Sequence, residues 1–427
     1  MKEKSSDRGG TGTGGRRKPS VLSNRKFARI FFAGVASTSG FSIGQVALTL
    51  IVYNETRSPL DVAYIGVSFI AAAVVFSLVA GALVDRHERR KLMVLSDLAR
   101  AGGLAALIII LGTFGFNLLV ILGVAFVLGS FTTLFQPAER ALTPEVVGTE
   151  QIANANALVQ TSNSVIQAAS NAAGGILVDF VGAIAAFIVN TMTFVFSAVL
   201  IVGVVGFAGS SKKQDGPARS KHPSILEDIR EGFRYIAGFR ELLFLTVSSG
   251  FSNFFFSMVM QFLVFYAGIA LHGGGDVYGY LLGLLALGWG PGAYLSARLK
   301  TVKYAGKLWI ACGVADGLCI LFLVAVPEMF AAFAIVFALG VLLGLANTTW
   351  LTIVQLIVPT EMQGRYFGLD QLGSFAVIPV GQVLGGILIA ASGVNVDFIV
   401  GGVGVAVSSG LFVFSSKLRK LEWNPAT

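Results

Sequence analysis

The chain has 427 residues, of which 55% are apolar and only 13% are charged, and its mean hydropathy is +0.77. So few polar residues cannot cover the surface of a soluble domain of this length, and the composition therefore excludes a soluble globular protein. The net charge of +8 is dispersed over loops rather than clustered on one surface, which argues against nucleic-acid binding.

Twelve apolar runs follow one another along the chain, and each is long enough to cross a bilayer, which takes about 20 residues. The sequence therefore predicts an all-α membrane protein with twelve transmembrane helices in two six-helix halves. The predicted spans are residues 30–53, 62–84, 92–111, 117–136, 153–178, 183–207, 242–269, 277–296, 308–326, 329–351, 366–391 and 397–415.

The positions of the basic residues predict the orientation of these spans. Of the 31 lysines and arginines, all but Arg57 and Arg100 lie in tails or loops that would share one side of the membrane. Because such residues are retained in the cytoplasm, we expect a multi-pass protein of the cell inner membrane with both termini cytoplasmic.

Changes in polarity divide the chain into five segments. Residues 1–29 form a basic tail that we expect to be disordered, 30–208 and 241–415 form the two helical bundles, and 416–427 form a second tail. The polar linker 209–240 contains a capping box from Ser224 to Glu227, which predicts a short amphipathic helix. Whether this linker only spans the halves or also regulates the protein stays open.

A short internal repeat supports the two halves. Gly174-Gly-Ile-Leu in the fifth span recurs as Gly385-Gly-Ile-Leu in the eleventh, and a further glycine follows at the same distance, Gly182 in one copy and Gly393 in the other. Many carriers place a substrate site between two such repeats. Paired glycines also allow helices to approach closely in lipid, so packing alone is the alternative explanation.

The loop after the second span carries the first family motif. Residues 81–91 read GALVDRHERRK, which resembles the signature of the major facilitator superfamily at the same place. The signature positions are Gly81, Asp85, Arg86, Arg89 and Arg90, while Glu88 stands where the family usually has a second glycine. The resemblance implies an inner gate that joins the cytoplasmic ends of the second and eleventh spans.

Further stretches narrow the resemblance. Residues 97–101, 135–158 and 359–365 resemble the branch that contains bacterial macrolide-efflux and enterobactin-export carriers. Asp97 and Arg100 stand one helical turn apart near the inner end of the third span, so they are expected to form a structural pair belonging to the same gate motif.

Uncharged polar side chains recur at helical spacing on several spans and mark a candidate substrate pathway. In the fold that the resemblance implies, the first, fourth, seventh and tenth spans line a central cavity. Helix-to-helix hydrogen bonding is the alternative role for each of these residues. The candidates are Gln45, Thr49, Gln167, Asn171, Asn253, Ser257, Gln261, Asn347, Trp350, Gln371 and Gln382.

One acidic residue lies at membrane depth without a basic residue nearby in the sequence. Asp316 is about eight residues into the ninth span, roughly 12 Å from its inner end at 1.5 Å per residue. We predict that it carries a coupling proton, with a neutral or hydrogen-bonded structural acid as the alternative.

These features predict a secondary active transporter that exports an amphipathic small organic molecule, drug-like or siderophore-like, by alternating access coupled to protons. An importer of the same fold and a non-transport membrane sensor are the alternatives. Neither a nucleophile-base arrangement nor a phosphate-binding loop is recognisable, and the two cysteines and three histidines are scattered, so we expect no enzyme, cofactor or metal. The expected partners are the substrate, the bilayer and protons, and the expected state is a monomer.

Overall fold

The computed structural model describes residues 21–148, 151–204, 240–298 and 305–410, and in these ranges the regular structure is helical. After a short 3-10 turn at Val21–Ser23, the helices are α1 (Arg25–Thr56), α2 (Pro59–Arg86), α3 (Arg89–Phe114), α4 (Leu118–Val147), α5 (Ile152–Phe180), α6 (Ala183–Val202), α7 (Arg240–Gln261), α8 (Gly275–Arg298), α9 (Ala305–Ala325), α10 (Met329–Ile357), α11 (Thr360–Phe375), α12 (Ile378–Ser392) and α13 (Val394–Gly410).

These helices confirm the predicted all-α fold of twelve spans, with α11 and α12 together forming the eleventh. Within the described ranges, nine segments are long and apolar enough by themselves to cross a membrane. The others are α5, which carries the polar stripe, the glycine-rich α8, and α13, which has 17 residues. The second tail, the linker with its capping box and residues 1–20 of the first tail lie outside the described residues. Residues 21–29, which were expected to be disordered, form the 3-10 turn and the start of α1.

Polar residues in the sequence set several helix ends, because the first N–H groups of a helix need acceptors. The side chain of Asn24 accepts from the backbone N–H groups of Lys26 and Phe27, at 3.0 and 3.3 Å. Ser58 caps α2 and Asn117 caps α4 in the same way. The spans therefore begin where the chain supplies a local acceptor.

Short connections make consecutive helices antiparallel and give the bundle two faces. We call the face where α1 begins the near face and the face where α1 ends the far face. The helix α7 reaches the far face through a break at Phe262, the segment Leu263–Phe265 and a π-helical turn at Tyr266–Ala270. The eleventh span is also interrupted, between α11 and α12.

The two halves, α1–α6 and α7–α13, repeat one packing scheme. In the first, α1 packs on α5 and α6, α2 on α4, and α3 on α4 and α6. In the second, α7 packs on α12 and α13, α8 on α10, and α9 on α10 and α13. Between the halves, α5 contacts α8 and α2 contacts α12, which are equivalent pairs in this scheme.

Glycines bring α8 and α10 into backbone contact. A Cβ atom added at Gly340 would clash with the carbonyl oxygen of Leu285 and lie 3.1 Å from the Cα of Gly288. Gly292 and Gly344 meet the backbone of the opposite helix in the same way. Close approach of this kind is how helices associate in lipid, where apolar burial gives little drive.

We expect Gly340→Val to destabilise the fold, because overpacking a close contact typically costs about 1–3 kcal/mol. The thermal unfolding midpoint of the detergent-purified protein measures this. Gly123→Val is the matched control, since a Cβ at Gly123 would meet no other atom within 4 Å. Equal midpoints for the two variants would contradict the packing account.

Candidate functional site

The far face joins α5 of the first half to α8 of the second through glycine backbones. A Cβ atom added at Gly175 would overlap the carbonyl of Gly275, and one added at Gly279 would lie 3.1 Å from the Cα of Gly175. One turn away, the Nδ2 of Asn171 donates to the carbonyl of Leu282 over 3.4 Å. Asn171 therefore lies in the contact between the halves.

An acidic residue from the first half caps a helix of the second. The carboxylate of Asp179, at the end of α5, accepts from the backbone N–H groups of Gly275 at 2.8 Å and Asp276 at 3.0 Å. A negative charge is favoured at a helix N-terminus, and these two donors belong to the unpaired first turn of α8. Sequence reasoning missed Asp179, because its partners lie 96 and 97 positions away.

The equivalent contact between α2 and α12 uses amide side chains. Gln261 donates from Nε2 to the carbonyl of Val62 over 2.8 Å, and Gln382 donates from Nε2 to the Oε1 of Gln261 over 3.3 Å. A Cβ added at Gly386 would lie 3.2 Å from the carbonyl oxygen of Pro59. The two glutamines that the sequence placed on the pathway thus bridge the halves at the far face.

Aromatic rings and a polar cavity complete this face. Tyr53 of α1 meets Phe265 of the second half edge-to-face, with ring centroids 4.8 Å apart. Behind them is a cavity of about 480 Å³, lined partly by Arg57, His272 and Asp179. The guanidinium of Arg57 lies 4.3 Å from the centre of the Tyr53 ring. The far face is therefore closed by interlocking contacts from both halves.

The remaining pathway candidates differ in what their side chains contact. Asn253 donates to the carbonyl of Ser374 over 3.1 Å, and Ser257 to those of Phe254 and Ile378, so both join α7 to the eleventh span. Three residues have exposed side chains, Gln45, Gln167 and Asn347, while Thr49 is buried and donates to a backbone carbonyl of its own helix.

Trp350 is half-buried at the near end of α10. Its ring lies edge-to-face against Phe367 with centroids 6.0 Å apart, and its Nε1 has no hydrogen-bond partner among the described residues. The side chain of Gln371 lies outside the described residues. A pathway role for all these residues remains a prediction.

The basic residues of the signature loop contact their own half. Arg89 forms an ion pair with Glu145 and donates to the carbonyl of Ala141 over 3.1 Å, both near the end of α4. Arg90 donates to two carbonyls at the end of α6. Arg86 is exposed, and the surroundings of Gly81 and the side chain of Asp85 lie outside the described residues. A gate between the signature loop and the eleventh span remains a prediction.

The pairing expected between Asp97 and Arg100 is present, with 2.5 Å between Oδ1 and a guanidinium nitrogen. Both side chains are almost fully buried, at 0% and 1% exposure. Ser37 of α1 and Ser197 of α6 donate to the carboxylate over 3.3 and 2.6 Å. The guanidinium lies 4.4 Å from the centre of the Phe194 ring. The pair thus ties α1, α3 and α6 together inside the first half.

Several buried polar groups have no hydrogen-bond partner among the described residues. Asp316 is 4% exposed and its Oδ1 is unpaired. Sequence reasoning missed two others, Asn190 on α6 and Asp397 on α13, both fully buried. Asp397 stood at the predicted edge of the last span, where an acidic residue draws little attention. The structure instead places it one turn inside the helix.

Twelve spans in two equivalent halves that meet through paired helices define a multi-pass transporter fold of the major facilitator type. The chain belongs to the transmembrane secretion effector family, whose model matches residues 18–426.

Two relatives support this assignment over most of their length. The uncharacterized MFS-type transporter YkuC of Bacillus subtilis (strain 168) is 26% identical over 401 residues, which are 91% of each chain. The multidrug efflux pump Tap of Mycolicibacterium fortuitum is 26% identical over 413 residues, which are 92% of this chain and 96% of that protein.

Two solved structures share the fold. A nucleoside transporter NupG variant has a TM-score of 0.73 at 10% identity, covering 91% of this chain and 100% of that one. A bacterial homologue of the iron transporter ferroportin in an inward-facing state has a TM-score of 0.71 at 13% identity, covering 93% and 99%. Identities this low show the fold alone.

We expect Arg100→Leu to lower the thermal unfolding midpoint sharply, because removing one partner of a buried ion pair typically costs about 3–5 kcal/mol. The loss arises from the carboxylate left unpaired. Adding Asp97→Asn to the same chain removes that charge and should recover part of the midpoint. If the double variant unfolds no later than the single one, the pair is not the source of the loss.

We expect Asp179→Ala to loosen the far face, since a helix cap contributes about 0.5–2 kcal/mol and its loss would raise the open population roughly two- to thirtyfold. Labelling of Leu50→Cys by a water-soluble thiol reagent reports this, because Leu50 is buried against Gly275. Glu328→Ala is the control, since Glu328 caps α10 within its own half. Equal labelling rates in both variants would contradict the account.

Proposed function

We propose that the chain is a secondary active exporter of an amphipathic small organic molecule, drug-like or siderophore-like, that works by alternating access. The observation that carries the proposal is the closure of the far face by contacts from both halves. Asp179, the glycine contacts and the Gln261 bridge all lie in the far-side portions of their helices. Halves that repeat one packing scheme and meet through paired helices can rock about a site between them.

The basic residues support an orientation. At the near face, the described chain carries Arg25 and Lys26 at the start of α1 and four further basic residues from Arg86 to Lys91, whereas Arg57 lies at the far face. Because cytoplasmic loops retain lysine and arginine, we propose that the near face is cytoplasmic in the cell inner membrane. The structure then corresponds to a state closed toward the outside.

The pathway candidates predicted from the sequence, with the aromatic residues beside them, support the substrate class. Asn253, Ser257 and the exposed Gln167 are uncharged, and Phe254 and Trp350 add aromatic surface. A few oriented polar groups within an apolar and aromatic lining suit an amphipathic organic solute. The relative named a multidrug efflux pump supports export of a drug-like compound.

Proton coupling is part of the proposal. Asp316 is the coupling candidate predicted from the sequence, and it is one of two described buried acids with an unpaired oxygen, a property that suits a group that binds and releases a proton. Its helix, α9, packs on α10 and α13 of the same half. The surroundings of a carboxyl group on this helix would therefore change when α10 and α13 move, without direct contact with the other half.

A reversible lock of the far face tests alternating access. With both native cysteines replaced by alanine, Ala63→Cys on α2 and Gly386→Cys on α12 place two Cβ atoms about 3.4 Å apart across the halves, close to disulfide geometry. Oxidation should abolish export of radiolabelled erythromycin from loaded cells, and a reductant should restore it. Transport that continues through the oxidised protein would overturn alternating access.

A second disulfide separates the lock from general rigidity. Ala72→Cys and Gly129→Cys join α2 to α4 within the first half, where the corresponding Cβ atoms lie 3.0 Å apart. Oxidation of this pair should leave erythromycin export intact. Assaying inside-out vesicles in parallel fixes the direction, because an exporter accumulates the compound there and an importer depletes it.

A further inference from the structure

The acidic residue in the first turn of α13 has no described partner. Asp397 is 0% exposed, and neither of its carboxylate oxygens has a hydrogen-bond partner among the described residues. Burying an unpaired carboxylate costs several kcal/mol even after relaxation. A carboxylate kept in that position is a candidate cation-binding group. Among cations, a proton requires no ligand besides this carboxylate.

The surroundings of Asp397 contain no basic side chain among the described contacts. A Cβ added at Gly385 of α12 would lie 3.1 Å from the Oδ1 of Asp397 and 2.8 Å from the ring of Phe262 on α7. The next residue, Phe398, stacks on Tyr266 with ring centroids 5.1 Å apart. The carboxyl group thus lies among α7, α12 and α13, beside the break in α7.

The titratable groups on the elements around α13 have other positions or partners. From α7, the hydroxyl of Tyr266 donates to the carbonyl of Leu323 over 2.7 Å. From α9 come Lys307 in its first turn, Cys312, Asp316 and Cys319, and α12 contains no titratable residue. Of these groups, Asp316 is the competing proton site.

Two other buried acids have partners for their carboxylates. Asp97 is paired with Arg100, and the Oδ1 of Asp370 accepts from the hydroxyl of Ser374 over 3.2 Å. Asp316 has one unpaired oxygen and Asp397 has two. Among the described acids, Asp397 is therefore the one with both oxygens buried and unpaired.

Asp397 is connected to the contact that closes the far face by two short routes. Gly385 lies against Asp397, and the next residue, Gly386, meets Pro59 of the first half. The ring of Phe262 contacts the same glycine and packs on Phe265, which meets Tyr53 of the first half. When the halves separate here, the first-half contacts that hold Gly386 and Phe265 in place are lost together. These two residues adjoin Gly385 and Phe262, which lie over Asp397.

We propose that Asp397 binds the coupling proton, and that its protonation accompanies closure of the far face. The inference deepens the proposed function and rests on it for the link to transport. In the open state water reaches the carboxylate, which takes one proton from that water to form an O–H bond. In the closed state the buried group is carried as the neutral acid. The proton then leaves to water on the near side before the far face reopens, so that one proton crosses the membrane in each cycle.

The distance across the far face as a function of pH tests this. Spin labels at Thr113 and Pro327, two exposed positions in opposite halves, are measured by double electron–electron resonance in nanodiscs with the native cysteines replaced. We expect the open population to grow with rising pH, changing the closed-to-open ratio by up to about tenfold per pH unit, the slope for one proton.

The variants decide which carboxyl group is responsible. Asp397→Asn should keep one closed-to-open ratio at every pH, Asp397→Glu should restore a pH response, and Asp61→Asn, an acid at the same face, should respond as the parent does. A parent-like pH response in Asp397→Asn overturns the proposal, as does a response that disappears in Asp316→Asn instead. A closed-to-open ratio that changes with sodium concentration at constant pH would show that sodium replaces the proton. That result also overturns the proposal.

Transport measurements separate this inference from the proposed function. In proteoliposomes, Asp397→Asn should retain exchange of radiolabelled erythromycin for unlabelled erythromycin and lose accumulation driven by a pH gradient. Parent protein that moves no erythromycin in either assay argues against the proposed function, while the spin-label titration still tests Asp397. Gradient-driven accumulation by Asp397→Asn equal to that of the parent refutes the role of Asp397.

Discussion

The contact between the two halves at the far face depends on close approach of glycine backbones, beside which a few side chains bond and pack across the halves. Gly175 lies against Gly275 and Gly386 against Pro59. Because lipid gives helices little hydrophobic reason to associate, close backbone approach and a few hydrogen bonds must hold them. Such a contact is strong when formed and leaves few buried groups unpaired when parted, which suits an interface that opens and closes.

The repeated glycine pair explains how each half serves both its own bundle and the other. Gly174 packs on α1 of its own half, and the equivalent Gly385 packs on α7 of its own half. Their neighbours Gly175 and Gly386 face the opposite half. One dipeptide thus packs α5 or α12 against its own bundle on one side and contacts the other half on the opposite side. Packing within a half and contact between the halves therefore use the same motif.

Charge is distributed differently at the two faces. Near the other end of the first half, the buried Asp97–Arg100 pair and the contacts of Arg89 and Arg90 hold α1, α3, α4 and α6 together. At the far face, Asp179 reaches across to the second half. The first set holds one half together, and the second joins the two halves.

Features within one helix were predictable from the sequence, and contacts between distant helices were not. The spans, the glycine repeat and the Asp97–Arg100 pair follow from length and helical spacing alone. The stripe on α7 was recognised, but its Gln261 bonds to Val62, which lies 199 positions away. Asp179 and Asp397 matter through what surrounds them in space. Neither is marked by a local sequence pattern, so neither can be recognised without the contacts between distant helices.

The central claim is that the far and near faces open reciprocally. Single-molecule fluorescence transfer on two labelled proteins tests it, one labelled at Thr113 and Pro327 across the far face and one at Gly148 and Gln355 across the near face, all exposed positions. We expect two interconverting populations in each, and a condition that lengthens the far distance should shorten the near one. A single unchanging distance at both faces, or both lengthening together, would contradict alternating access.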